Sequence, residues 1–170
     1  MVGAVVGGLL TGYLSGQAID RQIHAADRQQ AAEFSREQKQ AAYSKFIIDS
    51  FASNQVIARY VSAFARNDDL NGPEFLKIQR DAYDAMAPVA ADYRVIQLVA
   101  GTEIAELAKQ AWVARGATVT ATDVLYGRWW RHELSEQERH GSYRVDFLDE
   151  ATRVLDTFTE KAHADIVGAG

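Results

Sequence analysis

Few stretches of this chain combine residue types and spacing in a way that chemistry could use. Asn67-x-Asp69-x-Asn71-Gly72 matches the front half of an EF-hand calcium loop, with alternating oxygen ligands and a glycine at the sixth place. The twelfth place is Ile78, which cannot supply the bidentate carboxylate, and Pro73 follows the glycine. The segment reads as a polar turn. His132-Glu133-Leu134-Ser135-Glu136 lacks the second histidine at the fifth place that a zincin helix needs. Glu136 and His140 are four apart and share a helical face, but two ligands without a third do not make a metal site. No serine sits in a nucleophile elbow, and no glycine loop is built to cradle phosphate. Asp146, Asp149, Glu150 and Asp156 read as a solvated helix face. We therefore expect no catalytic, cofactor-binding or metal-ligating residue, and a protein that is not an enzyme.

The most distinctive polar-aromatic stretch is Tyr126-Gly127-Arg128-Trp129-Trp130-Arg131-His132. Adjacent residues on a helix point about 100° apart, so the two tryptophans cannot both face one core. One is expected inside. The other, beside Arg128 and Arg131, suits a partner surface or a lipid headgroup zone, where amphipathic aromatics and basic groups are stable.

The elements that carry these residues begin with an apolar run. Val2 to Ile19 contains no charged side chain. At 1.5 Å per residue it reaches roughly 27 Å as a helix, close to the hydrocarbon core of about 30 Å. Ala4, Gly8, Gly12 and Gly16 form one ridge at four-residue spacing, and Gly3, Gly7, Thr11 and Ser15 form the ridge beside it. Val2, Val5, Val6, Leu9, Leu10, Tyr13 and Leu14 fill the opposite side. A small-residue face lets helix backbones approach closely in lipid, whereas in water each glycine opposes the helix by about 1 kcal/mol. Nothing basic precedes Val2, as a secretory signal would require. Arg21, Arg28 and Arg36 follow the run, so the positive-inside rule places the downstream domain in the cytoplasm.

Residues 20–42 form a polar helical stalk whose narrow seam, Ile19, Ile23 and Ala26, fades by Gln30. That is too short for a sustained coiled coil. From 43 to 170 the apolar spacing is helical. Tyr43, Phe46, Ile47, Phe51, Ala58, Val61 and Ala65 give a first stripe, and a loop follows at 66–73. Phe75, Ile78, Ala82, Met86, Val89, Tyr93 and Ile96 give a second stripe, which Pro88 must bend or split. Thr102 is the expected N-cap of a third helix, which carries Ile104, Leu107, Ala108 and Ala111 and ends near Arg115-Gly116. The β-branched Ala117 to Thr122 reads as an extended connector, before a brief helix capped by Thr122 or Asp123. Ser135 and Glu138 have the spacing of a capping box. A last stripe, Phe147, Ala151, Val154, Phe158, Ala162 and Ile166, runs on to about Val167, with Gly141 marking a kink or a late start.

The fold expected is thus all-α: a transmembrane helix at 1–19, a stalk at 20–42, and an antiparallel bundle of four to five helices at 43–170. With 170 residues, no cysteine and a net charge of −5, the chain offers neither a disulfide framework nor a basic nucleic-acid footprint.

Gly3 to Gly16, Arg21 to Lys45, and Asp92-Tyr93-Arg94-Val95-Ile96-Gln97-Leu98-Val99-Ala100-Gly101-Thr102-Glu103-Ile104 together resemble small single-span membrane proteins of actinobacteria and their phages. Those proteins share a glycine- and alanine-rich span, a polar helix and a helical domain. The resemblance implies an architecture and carries over no functional residue. The expected function is a membrane-anchored interaction or scaffold protein, self-associating through Gly3, Ala4, Gly7, Gly8, Gly12 and Gly16. The alternatives are an accessory subunit of a membrane complex and a soluble helical protein whose glycine-rich end packs in an assembly. Expected partners are membrane lipid, a second copy or another membrane protein, and no nucleic acid.

Overall fold

The computed structural model describes the backbone of residues 3–66, 69–141 and 146–168, and the side chains of 26–66, 69–141 and 149–168. Among these residues there are six helices and no strand: α1 (Gly3–Arg66), α2 (Pro73–Asp84), α3 (Met86–Val99), α4 (Thr102–Trp130), α5 (Glu136–Gly141) and α6 (Asp146–Gly168). The protein is an all-α helical bundle. The chain divides into two compact units, Met1–Gln38 and Lys39–Gly170.

In the first unit, residues 26–35 are all exposed, Phe34 among them at 61 %. The small-residue ridges from Gly3 to Gly16 lie outside the residues whose side chains are described. Among the described residues no helix is long and apolar enough to cross a membrane, so the expected span at 1–19 gains no support from the structure.

In the second unit the helix directions follow from side-chain pairs. Tyr43 of α1 bonds Asp165 of α6 while Phe46 packs on Phe158, so α1 and α6 run oppositely. Lys45 meets Asp92 and Ser53 meets Met86, so α3 also opposes α1. Tyr93 stacks on Trp112, and a Cβ at Gly116 would touch Met86, so α4 opposes α3. By the same logic α1 and α4 are parallel, joined at Ser50–Arg115 and Tyr60–Asp123.

Local chemistry explains the helix ends. Pro73 opens α2, where its missing N–H costs nothing. Pro88 cannot bond back to the Asp84 carbonyl, and the helix breaks there: α2 stops at Asp84 and α3 restarts at Met86. Ser135 and Glu138 form the capping box, with the Glu138 N–H donating to Ser135 Oγ at 3.2 Å and the Ser135 N–H donating to Glu138 Oε2 at 2.9 Å. The helix it opens, α5, ends at Gly141, and α6 begins at Asp146.

Three sequence expectations need correction. Gly101, not Thr102, is the N-cap of α4. That helix does not stop at Arg115-Gly116 but runs 29 residues to Trp130, through the stretch expected to be extended. Thr118 and Thr122 are tolerated inside it because their hydroxyls donate to the carbonyls of Ala114 and Thr118 at 3.1 and 2.9 Å. On α1 the buried stripe passes through Ser50, Ser53 and Ile57, while Phe51 is 47 % exposed.

The C-terminus of α4 is closed by a Schellman motif. The His132 N–H donates to the Trp129 carbonyl and the Glu133 N–H to the Arg128 carbonyl, each at 2.9 Å. The motif requires a left-handed residue, and His132 supplies it at φ 58°. A residue with a Cβ pays about 1–2 kcal/mol for that conformation. His132→Gly should therefore stabilise the bundle by about 1 kcal/mol, seen as a higher urea midpoint with an unchanged m-value. A lowered midpoint would show that the imidazole contributes more than the strain costs.

Candidate functional site: a buried polar layer

The second unit has two apolar clusters. One gathers Phe46, Val89, Ile96, Ala108, Ala111 and Phe158 with their neighbours. The other gathers Ile57, Tyr60, Phe64, Phe75, Ala82 and Val119. Between them the helical stripes do not become exposed; they become polar. On α1, Ser50 and Ser53 lie between Phe46 and Ile57, at 0 and 1 % exposure. On α4, Arg115 and Thr118 lie between Ala111 and Val119, at 0 and 2 %.

Arg115 is the centre of this layer. Its Nη1 donates to the Ala111 carbonyl at 2.5 Å and its Nη2 to the Ser50 carbonyl at 3.4 Å. Among the described residues its Nε has no hydrogen-bond partner, and neither do Ser50 Oγ, Asn54 Oδ1 and Asp92 Oδ2. Burial pushes the guanidinium pKa down to about 10, so it is still charged at neutral pH. Isolating an ion from water costs several kcal/mol unless a counter-charge and hydrogen bonds compensate. Here the compensation comes from two carbonyl dipoles.

Two polar clamps flank the layer. In the first, Lys45 Nζ bridges Asp49 Oδ2 at 2.7 Å and Asp92 Oδ1 at 2.8 Å. Burial raises the Asp92 pKa, and its hydrogen bond with Asp49 raises it further against the pull of Lys45. Asp49 is held low, chiefly by its bond from Lys45. Two carboxyls with diverging pKa values can divide acid and base roles. Here Lys45 occupies the face between them, and the arrangement ties α1 to α3.

In the second clamp, Asp123 of α4 accepts from Tyr60 at 2.5 Å, from Gln79 at 3.0 Å and from Tyr83. It joins α1, α2 and α4. Tyr60 is driven well above the usual phenol range by burial and then by its bond to Asp123. Tyr83 is pushed up to about 12, first by its bond to the same carboxylate.

The bundle surface has shallow grooves. One of about 360 Å³ runs between α1 and α6 past Tyr43, Ile47, Ala162 and Ile166. Another of about 370 Å³ sits at the start of α4, beside the Lys161–Glu103 ion pair. A third of about 380 Å³ lies on α2 at Leu76, Gln79, Arg80 and Tyr83. None of these three has Arg115 or Asp92 in its wall.

The residues singled out in the sequence fall elsewhere. Trp129 packs on the second apolar cluster and donates from Nε1 to Glu136 at 3.3 Å, whereas Trp130 is 59 % exposed. Arg128 donates to the Glu133 carbonyl at 3.4 Å, and Arg131 pairs with the Glu133 carboxylate at 2.8 Å. Both arginines thus brace the end of α4. Glu136 and His140 lie 3.8 Å apart, and Glu136 also binds Arg139. Among the described residues no group of three His, Asp or Glu side chains could hold a metal ion. Asn67 lies outside the described residues. The sequence reading missed Arg115, Ser50 and Asp92. The available signal was geometric: they continue the apolar stripes at three- and four-residue spacing, where a charge or hydroxyl must be buried.

Two measurements probe the clamps. A carboxyl whose folded pKa is raised loses stability as pH climbs from about 4 through the folded value. Asp92→Asn mimics the protonated form, so it should raise stability at pH 7 by about 1 kcal/mol and flatten that fall in a urea titration. A phenol with a raised folded pKa costs stability above about pH 10, where the unfolded chain ionises and the folded one does not, at up to about 1.4 kcal/mol per pH unit. Tyr60→Phe should remove one such slope while losing about 2 kcal/mol at pH 7 with the bond to Asp123. An unchanged alkaline slope in the variant would mean that Tyr60 is not held by that carboxylate. Compared with known proteins, the chain matches no family model, no curated protein and no solved structure.

Proposed function

We propose that this chain is a non-enzymatic interaction protein, anchored in a membrane by its first residues and self-associating there, with the helical bundle on the cytoplasmic side. The single observation that carries the reading is the charge-free run from Val2 to Ile19, with its two adjoining ridges of small residues. Three further features support it. That run belongs to a helix, since α1 starts at Gly3. Arg21, Arg28 and Arg36 follow it on one side. Phe34 is exposed on an otherwise polar stretch of the same unit, an apolar group available to a second copy.

The bundle's polar residues are consistent with a binding or scaffold role. Its paired carboxyls and its buried cation are engaged in joining helices. Exposed Trp130 beside Arg131 remains a surface for a partner or a headgroup layer.

Bulk on the small-residue face should block close helix contact. In a membrane self-association assay, Gly12→Ile should cut the dimer signal at least about tenfold, the loss expected from roughly 1.4 kcal/mol of lost packing. The same chain should stay in the membrane pellet after carbonate extraction. Release into the supernatant would overturn the anchoring. Undiminished association of Gly12→Ile in the pellet would overturn the proposed interface and leave a different protein as the partner of that face.

A further inference from the structure

We propose that the helical bundle binds one small monovalent anion in its interior, against the Arg115 guanidinium and the Ser50 hydroxyl. Arg115 and Ser50 both belong to the unit Lys39–Gly170, so the site is independent of the membrane reading. Arg115 is 0 % exposed, so solvent does not neutralise it. Each of its terminal nitrogens donates to a carbonyl oxygen, which is a dipole and not a counter-charge. Among the described residues no carboxylate pairs with it, and burial alone accounts for its lowered pKa. Asp92, the buried carboxyl of α3, is bound to Lys45 through Oδ1, and its Oδ2 has no hydrogen-bond partner among the described residues.

Two buried donor atoms are left without a partner among the described residues. Nε–H of Arg115 has no partner, and Ser50 Oγ has none either. Ser50 is the same residue whose carbonyl accepts Nη2, so the two unpaired atoms belong to residues in direct contact. Both residues are fully buried, which keeps the two donors and the positive charge in a low-dielectric layer between apolar clusters. A halide fits these demands. It carries the single charge that one guanidinium balances, accepts from both donors, and needs no acceptor to satisfy a proton of its own. A divalent anion would bury one unbalanced charge in place of another. An organic carboxylate would need room for its carbon chain, and none of the three grooves reaches Arg115.

Chloride is the probe, with the full-length chain and ionic strength held constant by sodium gluconate, whose anion is too large for the layer. A ligand that binds only the folded state raises Tm by mass action, so Tm should climb by about 3 °C per tenfold increase in chloride above its dissociation constant. The ³⁵Cl resonance should broaden in the presence of the wild-type protein. Arg115→Met, checked for folding by circular dichroism, should lose both responses, and Ser50→Ala should weaken them. Should Arg115→Met fail to fold, crystals grown in sodium bromide should show an anomalous peak beside Arg115 Nε. Equal Tm in chloride and gluconate, a chloride response that survives in Arg115→Met, or bromide absent from Arg115 would each overturn the proposal.

Discussion

A full positive charge sits in the middle of the bundle, and the helices around it are constrained by it. Arg115 reaches only the carbonyls of Ala111 and Ser50. Its own helix fixes the first contact, because Ala111 is one turn back. The second fixes α1 against α4. Sliding either helix by one turn would still offer the guanidinium a main-chain carbonyl, but would set the Phe46 ring or the Asn54 side chain where Ser50 packs, and the ring would bury the charge against apolar surface. Burying such a group unpaired costs several kcal/mol, more than a slip could regain through apolar contact. The layer contributes little stability but excludes neighbouring registers, as a polar residue does in the seam of a coiled coil.

The other polar contacts divide into those that fix geometry and those that do little. Lys77–Asp81 and Arg153–Glu150 are exposed pairs on single helices, of the kind that contributes between nothing and about 1 kcal/mol. The clamps that matter cross between elements. Lys39 and Tyr43 both meet Asp165 at 2.9 Å, joining α1 to α6. Arg139, 2 % exposed, donates to the Phe64 carbonyl at 2.7 Å and to Glu136 at 2.7 Å, which pins α5 to the end of α1. Each fully buried Val, Leu, Ile or Phe in the two clusters contributes about 1.5–3 kcal/mol. The clusters therefore hold the helices together, and the polar clamps decide which faces meet.

Much of the fold could be read from residue types. The proline at the start of α2, the break before Pro88, the capping box at Ser135 and the last stripe through Phe158 were all visible as local chemistry. The errors share one cause. Hydrophobic spacing assigns a core by ranking side chains, and it ranks Phe51 above Ser50 and Ser53. In the bundle the stripe follows position, not polarity, so the serines are inside and the phenylalanine is half out. The same habit ended α4 at Arg115-Gly116. Arginine and glycine together look like a helix exit, and the threonines beyond look extended. What overrode these preferences was tertiary: Thr118 and Thr122 satisfy their hydroxyls on their own helix, and the second half of α4 is packed on α1 and α2 through Val119, Asp123 and Tyr126. Of the candidate site, only the split between the two tryptophans was legible, because it rests on the helical repeat alone. The buried layer needs partners from two helices far apart in the chain, and no single stretch contains them.

The layer also sets how the bundle gives way. Apolar clusters on either side return free energy in proportion to the area they remove from water. The intervening turn of each helix returns far less, since Ser50, Ser53, Asn54 and Arg115 exchange hydration for incomplete hydrogen bonding. Cooperative units in a protein are bounded where contacts return least. On that ground the bundle has its weakest seam through its centre and not only at its ends. The helix ends are reinforced: Lys39–Tyr43–Asp165 secures one, and the Schellman turn at His132 with the Ser135 capping box secures the other. Closure of the centre then depends on whatever balances one guanidinium.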